Sequence, residues 1–195
     1  LILNYEPGIL EEIKKQTKSY TFEYGGNVQE AIKLWCSDKQ LALKRYGHVS
    51  HWDLSKITYM KSLFYKTNFN DDISRWDVSK VTNMSKLFYA SEFNNDISEW
   101  DVSNVTNMYY MFRFSYFDGD ISKWNVSKVI DMSWMFCESE FNGDISSWDV
   151  SNVDDMGWMF AFCKFNGDIS KWNVSNVTNM RRMFSNSRFT SNISD

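Results

Sequence analysis

One spacing governs this chain: tryptophan occurs at positions 52, 76, 100, 124, 148 and 172, always 24 residues apart. Methionine keeps the same interval from Met60 to Met180, and isoleucine from Ile73 to Ile193. Phenylalanine keeps it twice, from Phe64 to Phe184 and from Phe69 to Phe189. No insertion or deletion interrupts the six copies. A fixed period of roughly 20–50 residues marks a repeat architecture, in which each unit buries its apolar face against the next. The unit reads I-S-x-W-[DN]-V-S-x-V-T-N-M-x-x-[ML]-F-x-x-x-x-F-N-x-D.

Apolar residues at relative positions 1, 4, 6 and 9 of the unit have the spacing of a leucine-rich repeat. Trp76 and Val78 are two apart, which puts them on one side of a short strand, Arg75–Ser79, with Asp77 and Ser79 on the other. Thr82 or Asn83 is then a suitable N-cap. Met84, Leu87 and Phe88 follow at i, i+3 and i+4, one face of a short helix. Phe93 closes the unit, and F-N-x-D turns the chain back. The fold class expected is α/β: a right-handed leucine-rich-repeat-like solenoid with short parallel strands, short helices and an N-terminal helical cap. Residues 1–47 would form the capping segment, and 48–195 the six repeats, with no C-terminal cap.

The motif W-D-V-S-N-V-T-N-M-x-x-M-F, at Trp100–Phe112, resembles the repeat of the BspA-like leucine-rich surface proteins. It is more closely similar to the mycoplasma-type surface-protein repeat, also found in algal and giant-virus proteins. The likeness covers about residues 48–195. It implies a surface, adhesion or interaction protein, and it brings no catalytic residues with it. The algal and viral proteins it resembles often carry Y-G-H-[VI]-S-x-W-D before the first repeat, matched here at Tyr46–Asp53.

Residues outside the repeat are read as helical. Pro7 suits a first helical turn, and Ile9, Leu10 and Ile13 follow at helical spacing, with Lys14, Lys15 and Lys18 near the end. Tyr20–Tyr24 could be a strand, broken by Gly25-Gly26. Asn27 with Glu30 resembles a capping box, opening an amphipathic helix over 27–46 that lies on the first repeat and stops at Gly47. At the other end Asn192–Asp195 falls where a seventh strand would begin, so an open edge there is a possible contact surface.

Composition excludes some classes. The net charge of −4 argues against nucleic acid as the main partner, because phosphate neutralisation needs clustered Lys and Arg. No apolar run approaches the roughly 20 residues of a membrane span. Cys36, Cys137 and Cys163 lack metal or redox spacing and read as three buried thiols. The two histidines, His48 and His51, form no catalytic series, and the glycines Gly119, Gly143 and Gly167 are turn residues, not a phosphate loop. No enzyme, cofactor or metal site is expected. The compartment stays open between cell surface, virus particle and organellar complex. Sequons at Asn83, Asn104, Asn125, Asn173, Asn176 and Asn192 follow largely from the repeat itself.

Regular columns suggest sites, each with a plainer alternative. The six tryptophans read as a buried ladder rather than a carbohydrate platform. The Asp72, Asp96, Asp120, Asp144, Asp168 column could hold calcium, or each carboxylate could accept backbone N–H groups of a turn. The outward face with Asp77, Asp101 and Asn125 could be a solvated, salt-bridged surface or a binding face. The best signal lies where the repeat varies. The two x positions of N-M-x-x-M-F should point away from the core; they hold Tyr109-Tyr110, Ser133-Trp134, Gly157-Trp158 and Arg181-Arg182. Tyr110, Trp134 and Trp158 form a column ending in Lys86 and Arg182, with Phe114 and Phe162 in a neighbouring column. Aromatic residues ringed by cations fit a protein–protein interface. The expected function is therefore a structural or protein–protein interaction module, an accessory subunit of a larger assembly. The alternative is a surface adhesin binding glycan or host protein through the strand face.

Overall fold

The structure, a computed structural model, describes residues 19–191. The helix read at Pro7–Lys18 and the strand start at Asn192–Asp195 lie outside these residues. The repeats form closed coils of 24 residues laid one on another, and the coils are made of turns.

The repeats are not the α/β solenoid of parallel strands and helices that the spacing predicts. Among the described residues the repeats contain no sheet and no α-helix. Parallel pairing is one residue wide per coil, running Tyr59, Asn83, Asn107, Asp131, Asp155, Asn179. It sits at the T-N-M corner, not at W-D-V-S. The expected strand Arg75–Ser79 is replaced by two turns, Trp76 N–H donating to Ile73 O (3.1 Å) and Val81 N–H to Val78 O (2.9 Å). Asp77 Oδ1 accepts the Ser79 N–H between them at 3.0 Å. That local side-chain bond competes with strand pairing. The alternation itself survives: Trp76 and Val78 are buried and Asp77 is exposed.

The helix expected over Met84–Phe88 fails for a different reason. Leu87 N–H bonds to Met84 O (3.1 Å) and Ser91 N–H to Phe88 O (3.2 Å), the spacing of β-turns. The third residues of these turns, Lys86 and Ala90, have φ of 58° and 51°. That left-handed third residue is the type II pattern. The intervening N–H groups leave the coil altogether. Met84, Lys86, Phe88 and Ala90 donate to Asn107, Tyr109, Met111 and Arg113 carbonyls of the next coil, at 2.8–3.0 Å. A single helical turn is costly to nucleate, so four bonds to a neighbouring coil outcompete it. Asn83, read as a helix cap, instead accepts from Ser85 N–H at 3.0 Å.

The interior is a set of columns. Phe64, Phe88, Phe112, Phe136, Phe160 and Phe184 stack with centroids 5.1–5.7 Å apart. The tryptophans are 3–7% exposed, which makes them core. From Trp76 onward each also ties its coil to the one before, as Trp100 Nε1 does to Ile73 O and Trp124 Nε1 to Ile97 O, both at 3.1 Å.

Before the coils stand two helices, α1 (Gly25–Ser37) and α2 (Lys39–Tyr46), where one helix over 27–46 was expected. They part at Asp38, whose carboxylate accepts the Leu41 N–H at 2.9 Å and caps α2. The Asn27–Glu30 capping box is not used, because α1 already starts at Gly25. Gly47, at φ 77°, ends α2. α1 buries Val28, Ala31, Ile32 and Trp35. Trp35 meets Trp52 of the first coil edge-on at 5.9 Å, and its Nε1 donates to Asp71 at 2.6 Å. Tyr20–Tyr24 makes only a single bridge, Thr21 to Asp53. Of the three thiols, Cys137 and Cys163 are buried, but Cys36 on α1 is exposed, against expectation.

Candidate functional site

The side chains with the most unusual environment lie along the double-turn edge of the coils. Each coil presents one left-handed residue there from its first turn: Ser62, Lys86, Tyr110, Trp134, Trp158 and Arg182, all with φ between 56° and 60°. The inter-coil bond fixes this backbone, and the side chain is free to vary. In the middle of the stack the column is aromatic. Tyr110 and Trp134 stack at 5.5 Å with planes 12° apart, and Trp134 and Trp158 at 4.5 Å and 7°. All three rings are half-buried.

Cations close this aromatic stack. Lys86 Nζ lies 5.5 Å from the Tyr110 ring centre and the Arg182 guanidinium 4.9 Å from that of Trp158. Arg113 is a centre of its own. Its guanidinium lies 5.0 Å from Tyr110, 4.5 Å from Phe114 and 4.5 Å from Trp134, and pairs with Glu138 at 3.1 Å. Cation–π contact at half-buried sites contributes about 1 kcal/mol each. Burial opposes the Arg113 charge, but the Glu138 carboxylate together with Cys137, Tyr110 and Tyr89 outweighs it and holds the guanidinium above its ordinary range. Arg113 Nε is buried without a hydrogen-bond partner. Arg113 was not singled out from the sequence; its column otherwise holds Tyr65, Tyr89, Cys137, Ala161 and Ser185, and nothing in the repeat marks it.

The structure therefore brings together Tyr109, Tyr110, Trp134, Trp158 and Phe114 with Arg182. Tyr109 packs edge-on to Tyr110 at 3.9 Å, and burial, with Tyr110 beside it, raises its phenol above the usual range. Phe162 is half exposed in the next column, and Arg181 is exposed. The expectation that the first x position points away from the core holds only in part: Arg181 is exposed and Tyr109 half-buried, but the other coils differ. Ser85, Ser133 and Gly157 are buried there. Ser133 N–H and Gly157 N–H donate to Asp131 and Asp155 at 2.9 and 2.7 Å.

The other columns have structural explanations. Each Asp of the 72-to-168 column accepts the N–H of the serine two residues on at 2.9 Å. Those backbone bonds hold the carboxylates below their ordinary range. Among the described residues no group of three or more His, Cys, Asp or Glu could hold a metal ion. A second column reaches between coils, as Asn94 N–H donates to Asn70 Oδ1 (2.8 Å) and Asp118 N–H to Asn94 Oδ1 (3.0 Å). The W-D-V-S face keeps a Lys123–Glu99 ion pair at 3.0 Å, while Asp101 and Asn125 are engaged by Ser103 and Ser127. His48 Nδ1 contacts Ser50 Oγ at 2.7 Å and accepts the Ser50 N–H, capping a short 3-10 turn, Val49–His51. Burial pushes the Cys137 thiol up to about 12, too high for a reactive thiolate.

Among the described residues no helix is long and apolar enough to cross a membrane. No curated protein and no solved structure matches the chain. The family model described as "Mycoplasma protein of unknown function, DUF285" matches residues 37–139 and again 113–195, so that its two matches together span the coils and α2. The chain belongs to this Mycoplasma-associated repeat family, DUF285.

Proposed function

We propose that the chain is a structural or protein–protein interaction module, an accessory part of a larger assembly, docking through the Tyr110–Trp134–Trp158 edge. One observation carries this reading. The left-handed slot that holds these rings is filled by Ser62, Lys86 and Arg182 in sister coils with the same φ. The backbone therefore needs no aromatic residue there, and three in register are in excess of what folding requires. Half-buried aromatic residues flanked by Arg are the usual anchors of protein interfaces. The resemblance of the Trp100–Phe112 motif to BspA-like surface proteins supports display of such a module on a surface.

The test is a tagged native chain recovered from its source cells beside a Tyr110→Ala/Trp134→Ala/Trp158→Ala variant. A protein retained by the native chain and lost by the variant, at an unchanged circular-dichroism melt, supports the reading. Equal retention by both removes the edge from consideration and moves attention to the face carrying Asp77, Asp101 and Asn125, where the adhesin alternative would operate.

A further inference from the structure

The same double-turn edge is electrostatically unlike the rest of the chain. Its six segments, 61–66, 85–90, 109–114, 133–138, 157–162 and 181–186, carry the cations Lys61, Lys66, Lys86, Arg113, Arg181 and Arg182 and one carboxylate, Glu138. The edge is thus net +5 in a chain of net −4, leaving −9 elsewhere. Of those six cations, only Arg113 has a carboxylate within ion-pair distance among the described residues. At the neighbouring corner, Asp131 and Asp155 accept their own turn N–H groups. At the α1 end of the edge a cleft of about 380 Å³ is lined by Lys33, Lys61 and Lys86 with Gln29, Ser62 and Tyr65, and no carboxylate lines it.

We propose that the edge binds an acidic polypeptide segment in an extended conformation, with its carboxylates on Lys61, Lys86 and Arg182 and apolar side chains on the Tyr110–Trp134–Trp158 stack. This rests on the interaction-module reading and names the partner's chemistry. Five coil steps of about 4.8 Å separate Lys61 from Arg182, a span of about 24 Å, or about seven extended residues. Clustered cations that lie on rings but lack a carboxylate, as Lys86 and Arg182 do, raise the local concentration of an anionic partner and select it over a neutral one. A single-stranded nucleic acid fits the edge less well, because base stacking needs open aromatic faces. Here Trp134 is covered on both faces by Tyr110 and Trp158, and Arg182 caps the end of the stack.

The experiment is fluorescence anisotropy of labelled poly-L-glutamate titrated with the native full chain, at about 50 and 200 mM salt. Labelled oligothymidylate of equal charge is titrated in parallel. The expected result is saturable polyglutamate binding that weakens with salt. Binding should fall by about tenfold or more in a Lys61→Glu/Lys86→Glu/Arg182→Glu variant, and oligothymidylate should bind more weakly. If charge reversal impairs folding, the Lys61→Gln/Lys86→Gln/Arg182→Gln variant takes its place. Polyglutamate binding that ignores both variants, absent binding, or oligothymidylate bound as tightly would each overturn the proposal. Loss of a cellular partner by the aromatic triple variant, with polyglutamate not bound, leaves the interaction reading standing and removes only the acidic partner.

Discussion

Two aromatic stacks run through the same coils and differ in almost nothing geometric. The inner one, Phe112–Phe136–Phe160, has centroids 5.6 and 5.7 Å apart with planes within 6°. The outer one, Tyr110–Trp134–Trp158, has 5.5 and 4.5 Å with planes within 12°. Stacking therefore does not separate core from surface in this molecule. Substitution does. The inner slot is phenylalanine in all six coils, whereas the outer slot accepts Ser, Lys, Tyr, Trp and Arg on one backbone. The inner stack holds the coils together; the outer one is carried by coils already held.

The largest test of that contrast is Phe136→Ala, which empties a fully buried slot and should cost about 3–5 kcal/mol. Trp134→Ala, one stack outward, loses two ring stacks and one cation–π contact at a half-buried site and should cost about 1–2 kcal/mol. Urea unfolding of the two variants checks both, and equal losses would end the distinction. Next comes Trp124→Phe, which keeps a ring but leaves Ile97 O without its indole donor. An expected loss of about 0.5–1.5 kcal/mol follows from removing one buried hydrogen bond, since Ile97 O keeps the Trp100 N–H. Of similar size, Trp134→Gly should be more stable than Trp134→Ala by about 1 kcal/mol, because glycine adopts φ near 60° without a Cβ penalty. Thermal melts of the pair decide it, and an alanine variant at least as stable would show that the turn is not strained.

The smallest expected effect concerns acid. The carboxylate of Asp96 is held low by the Ser98 N–H, then by the Ser98 hydroxyl. A depressed folded pKa gives stability that is present above the unfolded value of about 3.9 and is lost as pH falls through the lower folded value. The melting temperature should therefore drop on the acid side. Asp96→Asn should keep the turn, as Asn125 does with Ser127, and flatten that drop slightly. An unchanged acid limb would count against the turn bond as the cause.

The period, the buried columns and the turn role of the aspartates could all be read from spacing. The backbone could not. M-x-x-[ML]-F places its apolar residues at i, i+3 and i+4 whether it forms a helix or two left-handed turns, since both bring those side chains to one side. The signal that separates them is a positive φ, and in these repeats it falls on Lys86, Tyr110, Trp134 and Phe114 rather than on glycine. What fixes those residues is a bond to the next coil, a non-local cause that the unit's own 24 letters do not contain. The same holds for Arg113, whose place between three rings and Glu138 depends on the next coil, which supplies Trp134 and Glu138. Cys36 looked like core by composition and proved to lie on the outer side of α1.

The four forward bonds from each double turn also have a mechanical meaning. They point along the stack and are repeated coil after coil, so tension between the two ends loads them in parallel within a coil and in series along the chain. An end coil, held by a neighbour on one side only, would yield first, and each coil peeled off would release about 80 Å of slack chain. A stack held in this way would lengthen under load in increments of one coil instead of failing at once.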